Sequence, residues 1–585
     1  MRYGQRIRLW QIFPVIFIFF LVGWFSTDEK SDKGSSNDNA GNILNAMKSE
    51  VDRSMEKLKL PDFESPYFIS YLMREKDTFS FSARDGALYS DNKDKARSIY
   101  CETRVGNHHL DSSNIESPGF QLDSRYSFMD SYMLSVAPLE DNVPALKSAL
   151  WLLTDYKYKE ALSSYLKKKG DKVFNVEKKN DVDDFSVEEK QIHTSNTFTF
   201  KMDEEKWKES IRKASLLFKE LPGITTSEVE IEGRIESKYF VNSDGSLIFT
   251  SYPIYLASAS ASLVLDTGEE IGNADYIYAR TPEDIFSESA LSKSVSKVME
   301  ELKLLKAVPR SDPYTAPAIL SPTVTGVFFH EAVGHRLEGE RQRLEKEGQT
   351  FKGKIGAKVI PDFITVEDDP TLKEYNGTEL NGFYEYDDEG VKSQKVTLIS
   401  NGILQNYLMS RTPVEGFSKS NGHGRSSGLQ KPMGRMGNII VRSSREFSED
   451  KLKEMLIAEA KKRGKTFGFI VKDIEGGGET STAKLNFQAF RSTPKFVYRV
   501  DVETGKEELV RGVEIVGTPL ISINRIIATG KDYDVFNGYC SAESGSVPVS
   551  TVAPSVLIEE IELQRKPEKK TRPPLMPRPD SEVKN

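Results

Sequence analysis

The stretch GVFFHEAVGH, Gly326 to His335, sets His330, Glu331 and His335 in the order H-E-x-x-x-H. Two imidazoles can hold a divalent metal, and a carboxylate beside them can take a proton from water. That is the chemistry of a metal-dependent hydrolase. The familiar zinc-peptidase spacing, H-E-x-x-H, is one residue shorter. On a regular helix, histidines four apart lie about 40° apart around the axis, and those five apart about 140°. An unbroken helix cannot bring the second pair to one ion. The extra residue therefore predicts a distorted helix at Ala332 to Gly334, such as a one-residue π-bulge, with Gly334 supplying the backbone freedom.

A catalytic zinc needs a third protein ligand and an open fourth position. Several residues could supply that ligand: Cys540, His423, or the acidic Glu338 and Glu340 just past His335. Cys540 lies in NGYCSAESGSVP, which reads as a Gly/Ser-rich loop able to reach back across a fold. A thiolate would leave the ion with a net charge of +1 and weaken it as a Lewis acid. Such a site leans on a general base, and Glu331 is placed to deprotonate the bound water. Cys101 and Cys540 are the chain's two cysteines, which excludes a disulfide scaffold and leaves one bridge between them open.

The elements that must position these residues can be outlined from pattern. A chain of 585 residues with 38% hydrophobic and 29% charged residues is long and apolar enough for two or more globular domains. Its formal charge of −8 provides no basic footprint, so nucleic acid is not an expected partner. Residues 1–27 place Arg2, Arg6 and Arg8 before a short apolar run, the pattern of a signal peptide or N-terminal anchor. The body of the chain is therefore expected to be exported, periplasmic or otherwise extracytoplasmic. Residues 28–55 read as a flexible linker, 56–308 as an α/β N-terminal domain, 309–565 as a β-rich zinc catalytic domain, and 566–585 as a disordered tail.

Within the first domain, SEVEIEGRIESKYFVNSDGSLIFTSY alternates apolar and polar residues about an Asp244-Gly245 turn, which predicts an antiparallel meander. A helix is expected from Thr281 as N-cap, with Val295, Val298, Leu302 and Leu305 as its apolar stripe. The second domain shows strand-like runs interrupted by one helix, SEDKLKEMLIAEAKKRG, capped by Ser448 and ended by Gly464. The fold class is α+β: a mixed α/β domain, then a β-rich domain carrying the H-E-x-x-x-H helix.

TGVFFHEAVGHRLEGE, YEYDDEGV, LISNGILQNYLMSR, SNGHGRSS, EGGGETS and YCSAESGSVPVS together resemble the TldD/PmbA metallopeptidases in order and spacing. The resemblance runs from about Tyr67 to Leu563. It implies one Zn2+ per chain on His330, His335 and Cys540, with Glu331 as catalytic base, and hence the active type of subunit. It also implies hydrolysis of short or unfolded peptides inside a homodimer, or a heterodimer with a TldE/PmbA-like subunit. Gly476, Gly477 and Gly478 would border the substrate cleft, and His423, Arg425 and Arg435 would donate to a tetrahedral oxyanion. The alternative is a non-catalytic binding or scaffold subunit of a Tld-type dimer with a structural zinc. The leader-like segment departs from the well-known cytoplasmic members and puts their physiological roles in doubt here.

Overall fold

The computed structural model describes residues 36–114, 134–174, 182–343, 349–474, 479–481 and 489–576, apart from positions 202, 284, 518, 568, 569, 573 and 575. The architecture is mixed α/β and rich in strand. Residues from Asn37 onward form one compact unit.

Long antiparallel strands dominate its first half. Pro66–Arg84 and Ala87–Val105 pair through a turn at Asp85 and Gly86, whose φ values of 52° and 85° are both left-handed. A two-residue turn with positive φ at both positions matches the twist of the strands it joins. Ile224–Asn242 pairs with Pro66–Arg84 on one side and with Leu247–Val264 on the other, giving the meander about Asp244-Gly245. The alternation in Ile224–Asn242 decides its two faces. Val229, Ile231 and Ile235 are buried, and the first two join a core with the helices Glu204–Leu216 and Glu288–Ala307. Each such side chain stabilises by about 1.5–3 kcal/mol on burial.

Beyond Pro309, two large sheets form beside two two-stranded ones. Tyr314–Leu320 lies between Phe467–Ile474, parallel, and Val556–Arg565, antiparallel, in a ten-stranded sheet. A six-stranded sheet ends in Asn438–Ser443, Gly545–Ala553 and Asp534–Ala542. The helix Pro322–Ala332 packs against both, and every residue of it from Val324 on is buried. A helix apolar nearly all round has to be buried. This one is the common core on which the two sheets meet.

Several expectations need correction. The residues read as a linker contain the helix Ser36–Lys57, because Ile43, Leu44, Met47 and Val51 recur at helical spacing and bury one face, a signal masked by polar neighbours. The helix expected from Thr281 starts at Glu288 instead, where the Ser287 side chain accepts from Ala290 N at 3.2 Å; its apolar stripe is buried as expected. Ser448 does cap the helix Glu449–Lys462. The start of the expected tail is tied down: Lys566 N donates to Gly512 O, and Thr571 N donates to Gly268 O. Cys101 and Cys540 are both free and belong to different cores, so no bridge joins them. The leader-like segment and Gly476, Gly477 and Gly478 lie outside the described residues.

The YEYDDEG segment buries Asp387, Asp388 and Glu389 together. Burial first, and then Asp388, hold the Asp387 carboxyl up at about 7, against backbone N–H groups that favour its ionised form. Burial and the nearby Asp387, Glu102 and Glu340 raise Glu389 in the same direction. A carboxyl raised above its unfolded value of about 4 contributes stability below that pH and loses it as pH rises through the folded value. The melting temperature is therefore expected to fall as pH rises from about 4 to about 7. Glu389→Gln, which keeps an acceptor for Arg411 N and removes the repulsion, should flatten that decline in a calorimetric pH series.

Candidate metal centre

The helix carrying the motif does not run through it. Its α-helical part ends at Ala332, Val333 N donates to Phe329 O, and a tighter 3₁₀ turn, Gly334–Leu337, follows. The predicted irregularity thus falls at the predicted place, but the backbone breaks and tightens where a π-bulge would widen. Arg336 explains how the break is tolerated. Its Nη1 donates to Glu331 O at 2.8 Å and Ala332 O at 3.0 Å, satisfying carbonyls that the ended helix leaves without partners.

Gly334 has a different role from the one its type suggests. It does not adopt a positive φ. A Cβ there would stand 2.1 Å from Met436 Sδ and 3.0 Å from Ile439 Cδ1, so any side chain requires the buried Met436 to shift. Gly334→Ala is expected to cost about 1–3 kcal/mol through overpacking. It should also loosen zinc retention, because His335 is the next residue; thermal melting and metal content after dialysis check both.

Cys540 is on a strand, where a loop was expected. Asp534–Ala542 pairs with Gly545–Ala553 through a tight turn at Ala542–Gly545. Its alternation turns Cys540 inward, 4% exposed, while Tyr539 faces outward. The short strand is hard to see in sequence because Asn537, Gly538 and Ser541 dilute its apolar residues.

The fold brings His330, His335 and Cys540 together, with one ligand atom from each all within 4.8 Å of one another. Cys540 Sγ lies 3.4 Å from His335 Nε2. A tetrahedral zinc with bonds of about 2.3 Å to sulfur and 2.0 Å to nitrogen would set that separation at about 3.5 Å. His330 Nδ1 is buried without a hydrogen-bond partner, an expense a purely structural histidine avoids. The residues therefore fit a soft divalent ion such as zinc. Glu331 Oε2 stands 4.0 Å from His335 Nε2, at the edge of the constellation and outside it.

Electrostatics around the three are strong. Burial pushes the Cys540 thiol up, but the adjacent His330 and His335 imidazoles bring it well below its ordinary value. Glu338, fully buried, accepts from His335 Nδ1 at 2.9 Å. Burial raises its carboxyl, and His335, Arg341 and Arg435 overcome that to hold it at about 2. Glu338 was a candidate ligand; the structure turns it away from that place and onto the far nitrogen of His335. The i, i+3 spacing of His335 and Glu338 was the available sequence signal.

Other candidates lie elsewhere. Glu340 accepts from Gly434 N at 2.7 Å, away from the constellation. His423 is fully buried, with its ring nitrogens against Asn421 and Asp368. Arg425 donates to Met436 O and Pro548 O, and Arg435 to Cys540 O, Ser544 Oγ and Gly545 O. The expected oxyanion donors are thus committed to bracing backbone, because buried carbonyls need partners.

Residues 313–565 match the PmbA/TldA metallopeptidase C-terminal domain. A metalloprotease of Methanothermobacter thermautotrophicus is 30% identical over 57% of this chain and 69% of its own length. The chain belongs to the PmbA/TldD family. A zinc metalloprotease TldD homolog of Saccharolobus solfataricus is 25% identical over 62% of this chain and 76% of its own length. Other curated relatives are matched over little more than half their length. Among solved structures, TldE from Thermococcus kodakarensis superposes with a TM-score of 0.57 at 14% identity, covering 89% of this chain and all of that one. That likeness places this PmbA/TldD chain in the fold of the family's solved members.

Proposed function

We propose that the chain is a zinc metallopeptidase of TldD type acting on short or unfolded peptides. One observation carries this reading: three ligand atoms from positions 205 residues apart converge within 4.8 Å, with the Glu331 carboxylate beside them. Zinc held by His330, His335 and Cys540 supplies Lewis-acid polarisation of a carbonyl and acidification of water. Glu331 takes the proton of the attacking water and can return it to the departing amine, so that one carboxylate serves both half-steps. His335, fixed by Glu338, keeps its Nε2 toward Cys540. Three ligands, the set found among the described residues, would leave a position free for substrate, which a closed structural site would not.

The names of relatives support this reading, and the likeness to TldE supports a Tld-type dimer, of like subunits or with a TldE/PmbA-like partner. Arg2, Arg6 and Arg8 before the apolar run support export or N-terminal anchoring. The test is hydrolysis of a mixed pool of unfolded peptides, followed by mass spectrometry, with zinc-loaded and chelator-stripped protein. Cleavage that is lost on stripping and restored by zinc is expected. A zinc-loaded chain that cleaves nothing, alone or with a Tld-type partner, would sink the peptidase reading.

A further inference from the structure

His335 and Cys540 are ligands on opposite sides of the site, one in the turn after a helix and one on a strand hairpin. Something must hold the two in register before an ion arrives. Glu338 is the node. Its Oε1 accepts from His335 Nδ1 at 2.9 Å, which fixes the ring with Nε2 turned toward Cys540 Sγ, 3.4 Å away. Its Oε2 accepts from Arg341 Nε at 2.6 Å. Arg435 Nε stands 3.4 Å from Oε1, and both groups are wholly buried.

The two arginines run on from Glu338 to the same hairpin. Arg435 Nη2 donates to Cys540 O at 2.7 Å, and its Nη1 donates to Ser544 Oγ at 2.8 Å and Gly545 O at 3.0 Å. Arg341 pairs with Glu543, in the hairpin's turn, at 3.0 and 2.9 Å. One carboxylate thereby orients the first ligand, forms an ion pair with Arg435, whose fork holds the backbone that carries the second, and reaches the Glu543 side chain in its turn through Arg341. Arginine suits this task because its planar donors cannot rotate independently. A carboxylate on the far nitrogen of a ligating histidine also strengthens that ligand.

We propose that Glu338 is the positioning residue of the metal centre and that Arg435 is its link to the Cys540 hairpin. The inference rests on the zinc reading above. The test is competitive zinc titration against a chromophoric chelator, on the wild-type chain, Glu338→Gln and Arg435→Lys. Cobalt-substituted samples follow the thiolate-to-metal absorption band, and near-ultraviolet circular dichroism monitors the fold. Glu338→Gln is expected to weaken zinc binding by about 10- to 100-fold. Arg435→Lys, which keeps the charge and loses the fork, should diminish the thiolate band more than it reduces the metal content.

Zinc on the wild-type chain, with affinity within threefold and an unchanged band in both variants, overturns the proposal and leaves the metal site standing. No zinc on the wild-type chain removes the metal reading itself and this inference with it. Should Glu338→Gln fail to fold, Glu338→Asp and Arg341→Ala are titrated in its place, and equal affinity in both would overturn the proposal.

Discussion

Glu331→Gln is expected to abolish most peptide hydrolysis while leaving zinc in place. The carboxylate lies beside the ligands without belonging to their set, 4.0 Å from His335 Nε2. Glutamine preserves its size and its place on the helix, so the three ligands should still converge. What disappears is the basic oxygen that accepts the proton of water. Removing a general base costs about 10²–10⁴ in turnover. The effect should fall on kcat with little change in KM, because the group acts in the transition state and not in binding. Metal analysis beside steady-state kinetics checks the pair of outcomes. Zinc lost together with activity would make Glu331 a ligand and refute its role as base.

Cys540→Ser should have the largest effect on the metal. The neighbouring imidazoles hold the Cys540 thiol well below its ordinary value despite burial, which favours the thiolate that binds metal. A serine hydroxyl has no such anion to offer at neutral pH. Partners one shell out cost about 10- to 100-fold in metal affinity, so loss of an anionic ligand should cost more than about 100-fold. Dialysis should then remove zinc from the variant and not from the wild type. The fold should survive, since the Cys540 carbonyl still accepts from Arg435 and the strand pairing is backbone in origin. Zinc retained equally by the serine variant would refute the three-ligand site.

Much of the architecture could be seen in the sequence because its signals are local. The alternation in Ile224–Asn242, the Asp244-Gly245 turn and the Ser448 cap each depend on residues within one turn or one strand. Where the local signal was ambiguous, packing decided. Thr281-Pro282 looks like a helix start, yet Ser287 is the residue that caps. Ser36–Lys57 looks like a polar linker, yet its few apolar residues find a core. NGYCSAESGS looks like a loop, yet backbone pairing with Gly545–Ala553 makes it a strand.

For the metal centre, the H-E-x-x-x-H spacing by itself required a backbone irregularity between Ala332 and His335, since helical geometry permits no other way for both histidines to meet one ion. Residue chemistry also named Glu331 as base and restricted the third ligand to a short set. The tertiary structure alone decided the rest. It selected Cys540 over Glu338, Glu340 and His423 for the place beside the histidines, and it gave Glu338 to His335 Nδ1. It committed Arg425 and Arg435 to carbonyls. Spacing constrains only atoms joined by a few rotatable bonds, whereas which groups meet across 205 residues depends on how two sheets close over one buried helix.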